Sequence, residues 1–176
     1  MEIYLIRHTA VEVPVGFAYG QTDVALKDSF EVEAAAVKQR LEGISFDRVW
    51  SSPLTRCLRL AAYCGYPEAI RDPRLMETNF GEWEMKSWDE ISADPRSELW
   101  FADWVHQPTP GGESFADQCR RVANFLDELR QQDYKRVLLF AHGGVLTASR
   151  VYTGEYPIEE AFKNLPIYGE MIRIEV

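Results

Sequence analysis

Twice in this chain an apolar run ends on a histidine. The first is "IYLIRHTA" at 3–10 and the second is "VLLFAHGG" at 137–144. Short apolar runs of this kind read as strands buried on both faces, which belong to a mainly parallel sheet. Parallel strands need crossover connections, usually helices. In sheets of that kind ligands gather beyond the carboxyl ends of the strands. Arg7 and His8 stand at one such end and His142 at another, so one feature constrains both the fold and the chemistry.

The rest of the chain fits an alternation of strands and helices. Strands are expected at 2–7, 46–52, 69–72, 136–141 and 169–175; the last alternates, as an edge strand does. Residues 8–27 hold Pro14, Gly16 and Gly20 and read as a loop. Asp28 is a candidate cap for a helix to about Leu41, in which Phe30, Ala34, Val37 and Leu41 share a face. Pro53 suits the first turn of a helix to about Cys64. Residues 87–105 look helical in two pieces, the second opening at Pro95. Ser114 is expected to cap a helix to about Gln131 with an inner face of Phe115, Val122, Phe125, Leu126 and Leu129. A final helix is expected over 143–153. The expected architecture is a three-layer α/β/α domain over 1–176. It has a mainly parallel central sheet, one antiparallel edge strand and a small helical roof from 77–110.

Charge and composition remove several function classes. The net charge is −9 and no basic stripe exists, which excludes a nucleic-acid partner as the expectation. Five acids between Glu82 and Asp94 would repel polyanions. No apolar run approaches the ~20 residues of a membrane span, and no basic-then-apolar leader opens the chain, so a cytoplasmic location is expected. Cys57, Cys64 and Cys119 form no CxxC pair, which argues against a disulfide framework and a zinc site. Cys57 and Cys64 are expected to be buried thiols on one helix face.

The remaining polar residues point to a small phosphate ester. Arginine presents a planar fork suited to phosphate oxygens, and Arg7 and Arg56 are candidates to bind them. A surface salt bridge is the competing reading of Arg56. A neutral imidazole is a competent nucleophile once its other nitrogen donates a hydrogen bond, here to a backbone carbonyl as the expectation. His8 and His142 are the candidates. Gly143 and Gly144 would let substrate approach the backbone. The leaving oxygen needs a proton. Glu77, in "RLMETNFGEWE", is the expected donor because Met76 and Phe80 beside it favour the uncharged acid; Glu82 and Glu84 compete. The rings of Trp88, Trp100, Phe101 and Trp104 either wall the pocket or pack the roof, and His106 is expected to be exposed at a helix end.

The motifs "LIRH" at 5–8, "SSPLTR" at 51–56, "LMETNFGEWE" at 75–84, "GGES" at 111–114 and "FAHGG" at 140–144 resemble the histidine phosphatase superfamily, which includes phosphoglycerate mutase. The short length, "FGEWEM" and "AYGQTD" are most similar to its α-ribazole phosphatase branch. The resemblance implies a phosphohistidine mechanism without metal or cofactor. His8 would be the nucleophile, Arg7 and Arg56 the phosphate arginines, His142 the second histidine and Glu77 the acid. The signature RHGET is altered here to "RHTAV", with Pro14 where an asparagine is usual. Gln21 is therefore a candidate replacement donor to phosphate. Hydrolysis of a small phosphomonoester is favoured, α-ribazole 5′-phosphate first. A mutase, a sugar-phosphate phosphatase or a non-catalytic phosphate-binding module are the alternatives.

Overall fold

A computed structural model describes residues 1–176. Its sheet contains β1 (Glu2–Arg7), β2 (Arg48–Ser51), β3 (Ile70–Arg71), β4 (Arg136–Ala141) and β5 (Met171–Glu175), in the order β3-β2-β4-β1-β5. All pairs are parallel except β1–β5. The helices are α1 (Phe30–Leu41), α2 (Thr55–Tyr63), α3 (Trp88–Ala93), α4 (Ser97–Ala102), α5 (Phe115–Leu129) and α6 (Gly143–Tyr152). No helix is long and apolar enough to cross a membrane.

Both faces of the inner strands are buried, which explains their continuous apolar runs. Ile3 and Leu5 of β1 join Val137 and Leu139 of β4 against α5 and α6. Ile6, Leu138 and Phe140 point the other way, onto α1 and α2. Side chains alternate across a strand, so each strand feeds both layers and the sandwich is three layers thick. β5 has one buried face, carried by Ile172 and Ile174. A third, smaller cluster packs Trp83 and Ile91 with Ala18 beneath Phe80, Trp88 and Trp100.

Strand positions follow the apolar pattern closely, whereas three helix starts differ from expectation. At Pro53 the first turn does not form: Ser52 Oγ accepts the Leu54 amide at 3.3 Å, and α2 begins at Thr55. At α1 the N-cap is Ser29, not Asp28, and its hydroxyl donates to Glu33 Oε1 at 2.6 Å instead of capping the backbone. The second roof helix opens just after Pro95, at Ser97, because Asp94 Oδ1 accepts the Arg96 amide and closes a turn there. Ser114 behaves as expected. It accepts the Asp117 amide while the Asp117 carboxylate accepts the Ser114 amide and hydroxyl, a full capping box.

Candidate active site

β1 and β4 are neighbours in parallel register, with Arg7 opposite Ala141. The residue after each strand is a histidine, so the register itself brings His8 and His142 together. Their ring centroids lie 5.1 Å apart, inclined at 64°. Both rings are buried, His8 at 1% exposure and His142 at 0%.

His8 Nδ1 lies 2.8 Å from the Thr9 carbonyl. A carbonyl only accepts, so Nδ1 carries the hydrogen and Nε2 keeps its lone pair. This is the tautomer a nucleophile requires. Burial holds the His8 pKa well below the usual histidine value; the Arg56 and Arg7 cations add to that, and the Thr9 carbonyl opposes it. Burial is also the first cause for His142, followed by Arg56 and His8 itself. Both rings are therefore neutral at pH 7. His142 Nε2 lies 2.8 Å from Ser52 Oγ, at the end of β2. Cys57 lies behind it, its thiol donating to the Ala141 carbonyl at 3.2 Å; burial pushes that thiol up to about 12, and it is inert.

Arg56 is fully buried, which rules out the surface salt bridge. It donates to the Thr22 carbonyl at 2.9 Å and to the Gly20 carbonyl, so the first loop holds it in place. Arg7 donates to the Pro166 carbonyl. The Nε atoms of both arginines are buried without a hydrogen-bond partner. Buried donors are normally paired, so two unpaired guanidinium N–H groups beside two histidines are chemically suited to an anion. Two tyrosines that sequence reasoning missed arch over these groups. Tyr168 lies 4.1 Å from the Arg7 guanidinium and Tyr19 lies 5.5 Å from that of Arg56. Their hydroxyls meet at 2.6 Å.

Glu77 reaches the same edge, but its surroundings differ from the apolar ones expected. Its Oε1 accepts the Thr78 amide and Gln118 Nε2, each at 2.9 Å, and its Oε2 accepts the Gly144 amide at 3.1 Å. Glu84 is taken up elsewhere, accepting the amides of Gly20, Gln21 and Phe80 and the Thr22 hydroxyl, and Glu82 pairs with Arg96 on the surface. Gln21 does not line the cavity described below, and its amide nitrogen donates to the Glu77 carbonyl at 3.1 Å. The two glycines make room for protein groups. A Cβ on Gly143 would meet Arg7 Nε at 3.3 Å, and one on Gly144 would meet Glu77 Oε1 at 2.3 Å. His106 is exposed and pairs with Asp103.

A cavity of about 300 Å³ opens from Arg7, Glu77 and Gly144. Its walls are mainly Phe17, Phe80, Trp88, Trp100, Phe162 and Leu165. The aromatic segment thus divides: Trp88 and Trp100 stack at 5.8 Å and line the cavity, while Trp104 packs with Phe115 and Phe162.

An α/β sandwich that gathers two neutral histidines, two arginines and a carboxylate at its strand ends is the framework of a phosphoryl-transfer enzyme. The chain belongs to the histidine phosphatase superfamily (branch 1), whose family model matches residues 3–173. It is a phosphatase of that superfamily. An adenosylcobalamin/alpha-ribazole phosphatase of Escherichia coli is 30% identical over 155 residues, covering 84% of this chain and 76% of that protein. A 2,3-bisphosphoglycerate-dependent phosphoglycerate mutase of Brucella canis is 32% identical over 165 residues, covering 83% and 78%. Among solved structures, the alpha-ribazole phosphatase from Shigella flexneri superposes with a TM-score of 0.90 at 27% identity, covering 100% of this chain and 91% of that one.

Proposed function

We propose that the protein hydrolyses a small phosphomonoester through a phosphohistidine on His8, and that α-ribazole 5′-phosphate is its substrate. His8 Nε2 attacks phosphorus as the bond to the leaving oxygen breaks. Arg7, Arg56 and His142 surround the transferred group's oxygens, where charge stabilisation and alignment supply most of the catalysis. Glu77 gives its proton to the leaving oxygen. It then takes one from the water that attacks phosphohistidine, releasing inorganic phosphate and restoring neutral His8.

One observation carries the choice of substrate. Of the cavity-lining side chains, Arg7 alone is basic, and Phe17, Phe80, Trp88, Trp100, Phe162 and Leu165 make up most of the remainder. A phosphoglycerate places a carboxylate beside its phosphate, and that charge would enter an apolar wall without a counter-ion. A benzimidazole-type base is flat and uncharged and stacks on indole faces. The similarity to α-ribazole phosphatases supports the same reading. Three free cysteines fit a reducing compartment, and we place the reaction in the cytoplasm.

The test is a panel of α-ribazole 5′-phosphate, 3-phosphoglycerate and a sugar phosphate, run with the wild type and with His8→Ala. The expected kcat/KM for α-ribazole 5′-phosphate exceeds that for 3-phosphoglycerate by about 100-fold or more, and His8→Ala abolishes turnover of every ester. Preference for 3-phosphoglycerate would refute the substrate. Undiminished turnover by the alanine variant would refute the mechanism.

A further inference from the structure

Gln118 is a polar residue on an apolar face. It lies on α5, where Phe115, Val122, Phe125, Leu126 and Leu129 form the buried stripe, and it is itself fully buried. Burying a carboxamide is unfavourable unless both of its ends are hydrogen-bonded. Both ends of Gln118 are. Its Oε1 accepts from Thr78 Oγ1, and its Nε2 donates to Glu77 Oε1. The Glu77 carboxylate only accepts, so it takes the amide nitrogen, and the amide oxygen is thereby turned toward the Thr78 hydroxyl, which donates to it.

The two oxygens of Glu77 are consequently unequal. Oε1 accepts two N–H groups, from Thr78 and Gln118, one for each of its two lone pairs. Oε2 accepts one, from Gly144, and keeps the other position free. Glu77 lines the cavity. The geometry points to Gln118 as a positioning residue that confines the transferable proton of Glu77 to Oε2. This rests on the assignment of Glu77 as the proton donor. A proton on Oε1 would have to displace an N–H donor, whereas a proton on Oε2 occupies the free position. During the second half of the reaction the same free position on Oε2 takes the proton from water. Gln118 touches neither the phosphate cradle residues nor the aromatic wall through these bonds, so its effect should be confined to steps that need the proton.

Leaving-group dependence separates this role from a structural one. p-Nitrophenolate departs with little protonation, whereas an alkoxide needs a proton as it leaves. Gln118→Met keeps the length and removes the donor. With it, turnover of p-nitrophenyl phosphate should stay within about threefold of wild type, while turnover of an alkyl phosphate should fall about 10-fold or more. Inhibition by vanadate should be unchanged, since Arg7, Arg56 and the histidines are untouched. Gln118→Leu removes the same donor with a different side chain and should give the same split if the methionine variant folds poorly. Equal losses on both esters, or no loss on either, would overturn the inference. Glu77→Gln, measured alongside, tells two failures apart. If Glu77→Gln splits the two esters and neither Gln118 variant does, only the positioning role fails; if Glu77→Gln shows no split, the assignment of the acid fails with it.

Discussion

The two buried histidines make stability fall as the pH is lowered, by an amount that can be calculated. In the unfolded chain each titrates near pH 6.5. In the native state both are held well below that value, first by burial and next by the Arg56 cation. Below pH 6.5 the unfolded chain therefore binds protons that the native protein does not, and acid favours unfolding. The stabilisation is complete above pH 6.5 and is lost as pH falls from there toward the native-state values. For each ring kept neutral in the fold, lowering the pH from 7.5 to 5.5 removes about 1.4 kcal/mol, so the pair removes about 2.7 kcal/mol. That is a large share of the roughly 5–15 kcal/mol that holds a domain together. Carboxylates such as Asp117, whose pKa is lowered by the hydroxyl and amide of Ser114, titrate below this window. Urea unfolding followed by tryptophan fluorescence at several pH values measures the effect. Buffers must be free of phosphate, which would bind the native state and add to its stability. Replacing His8 and His142 together by asparagine should flatten the curve by up to about 2.7 kcal/mol over the same interval. His106 is present in both proteins and cancels. Identical pH dependence in the wild type and the double variant would refute the claim that these rings are neutral in the fold.

Three further perturbations follow from single contacts. Gly144→Ala would put a Cβ 2.3 Å from Glu77 Oε1, so the carboxylate must move and kcat on alkyl phosphates should drop about 100-fold; a loss under threefold would contradict the packing. Arg56→Lys keeps the charge but cannot span the Thr22 and Gly20 carbonyls together with a phosphate oxygen. Isothermal titration should show phosphate affinity reduced about 10-fold or more, and unchanged affinity would argue against that fork. Ser114→Ala removes the capping box of α5 and should lower stability by about 1 kcal/mol in denaturant unfolding, with no effect on turnover of p-nitrophenyl phosphate.

The legible parts of this molecule were those with a local signal. β1 and β4 are apolar because both faces are buried, and β5 alternates because one face is not; each pattern is written within six residues or fewer. Ser114 worked as a cap because Asp117 completes the box three residues on, whereas Pro53 was overridden by the Ser52 hydroxyl. The sequence placed His8 and His142 at strand ends, but only the order β4-β1 makes them neighbours. Arg56 was ambiguous because the groups that hold it, the Thr22 and Gly20 carbonyls, come from a loop with no periodicity. Tyr19 and Tyr168 meet across 149 residues, and nothing in the sequence pointed to that pairing. Gln118 did carry one: a polar residue three after Phe115 and four before Val122, on the apolar face of its helix.

Everything in the proposed chemistry passes through one covalent bond, between phosphorus and His8 Nε2. Rapid mixing with a labelled phosphomonoester, quenching in alkali, where phosphohistidine survives, and peptide mass spectrometry would detect it. One PO3 unit on the peptide containing His8, appearing before product and absent from His8→Ala, is the predicted result. Steady turnover with no label on His8 at any time, or label carried by His142 instead, would contradict it.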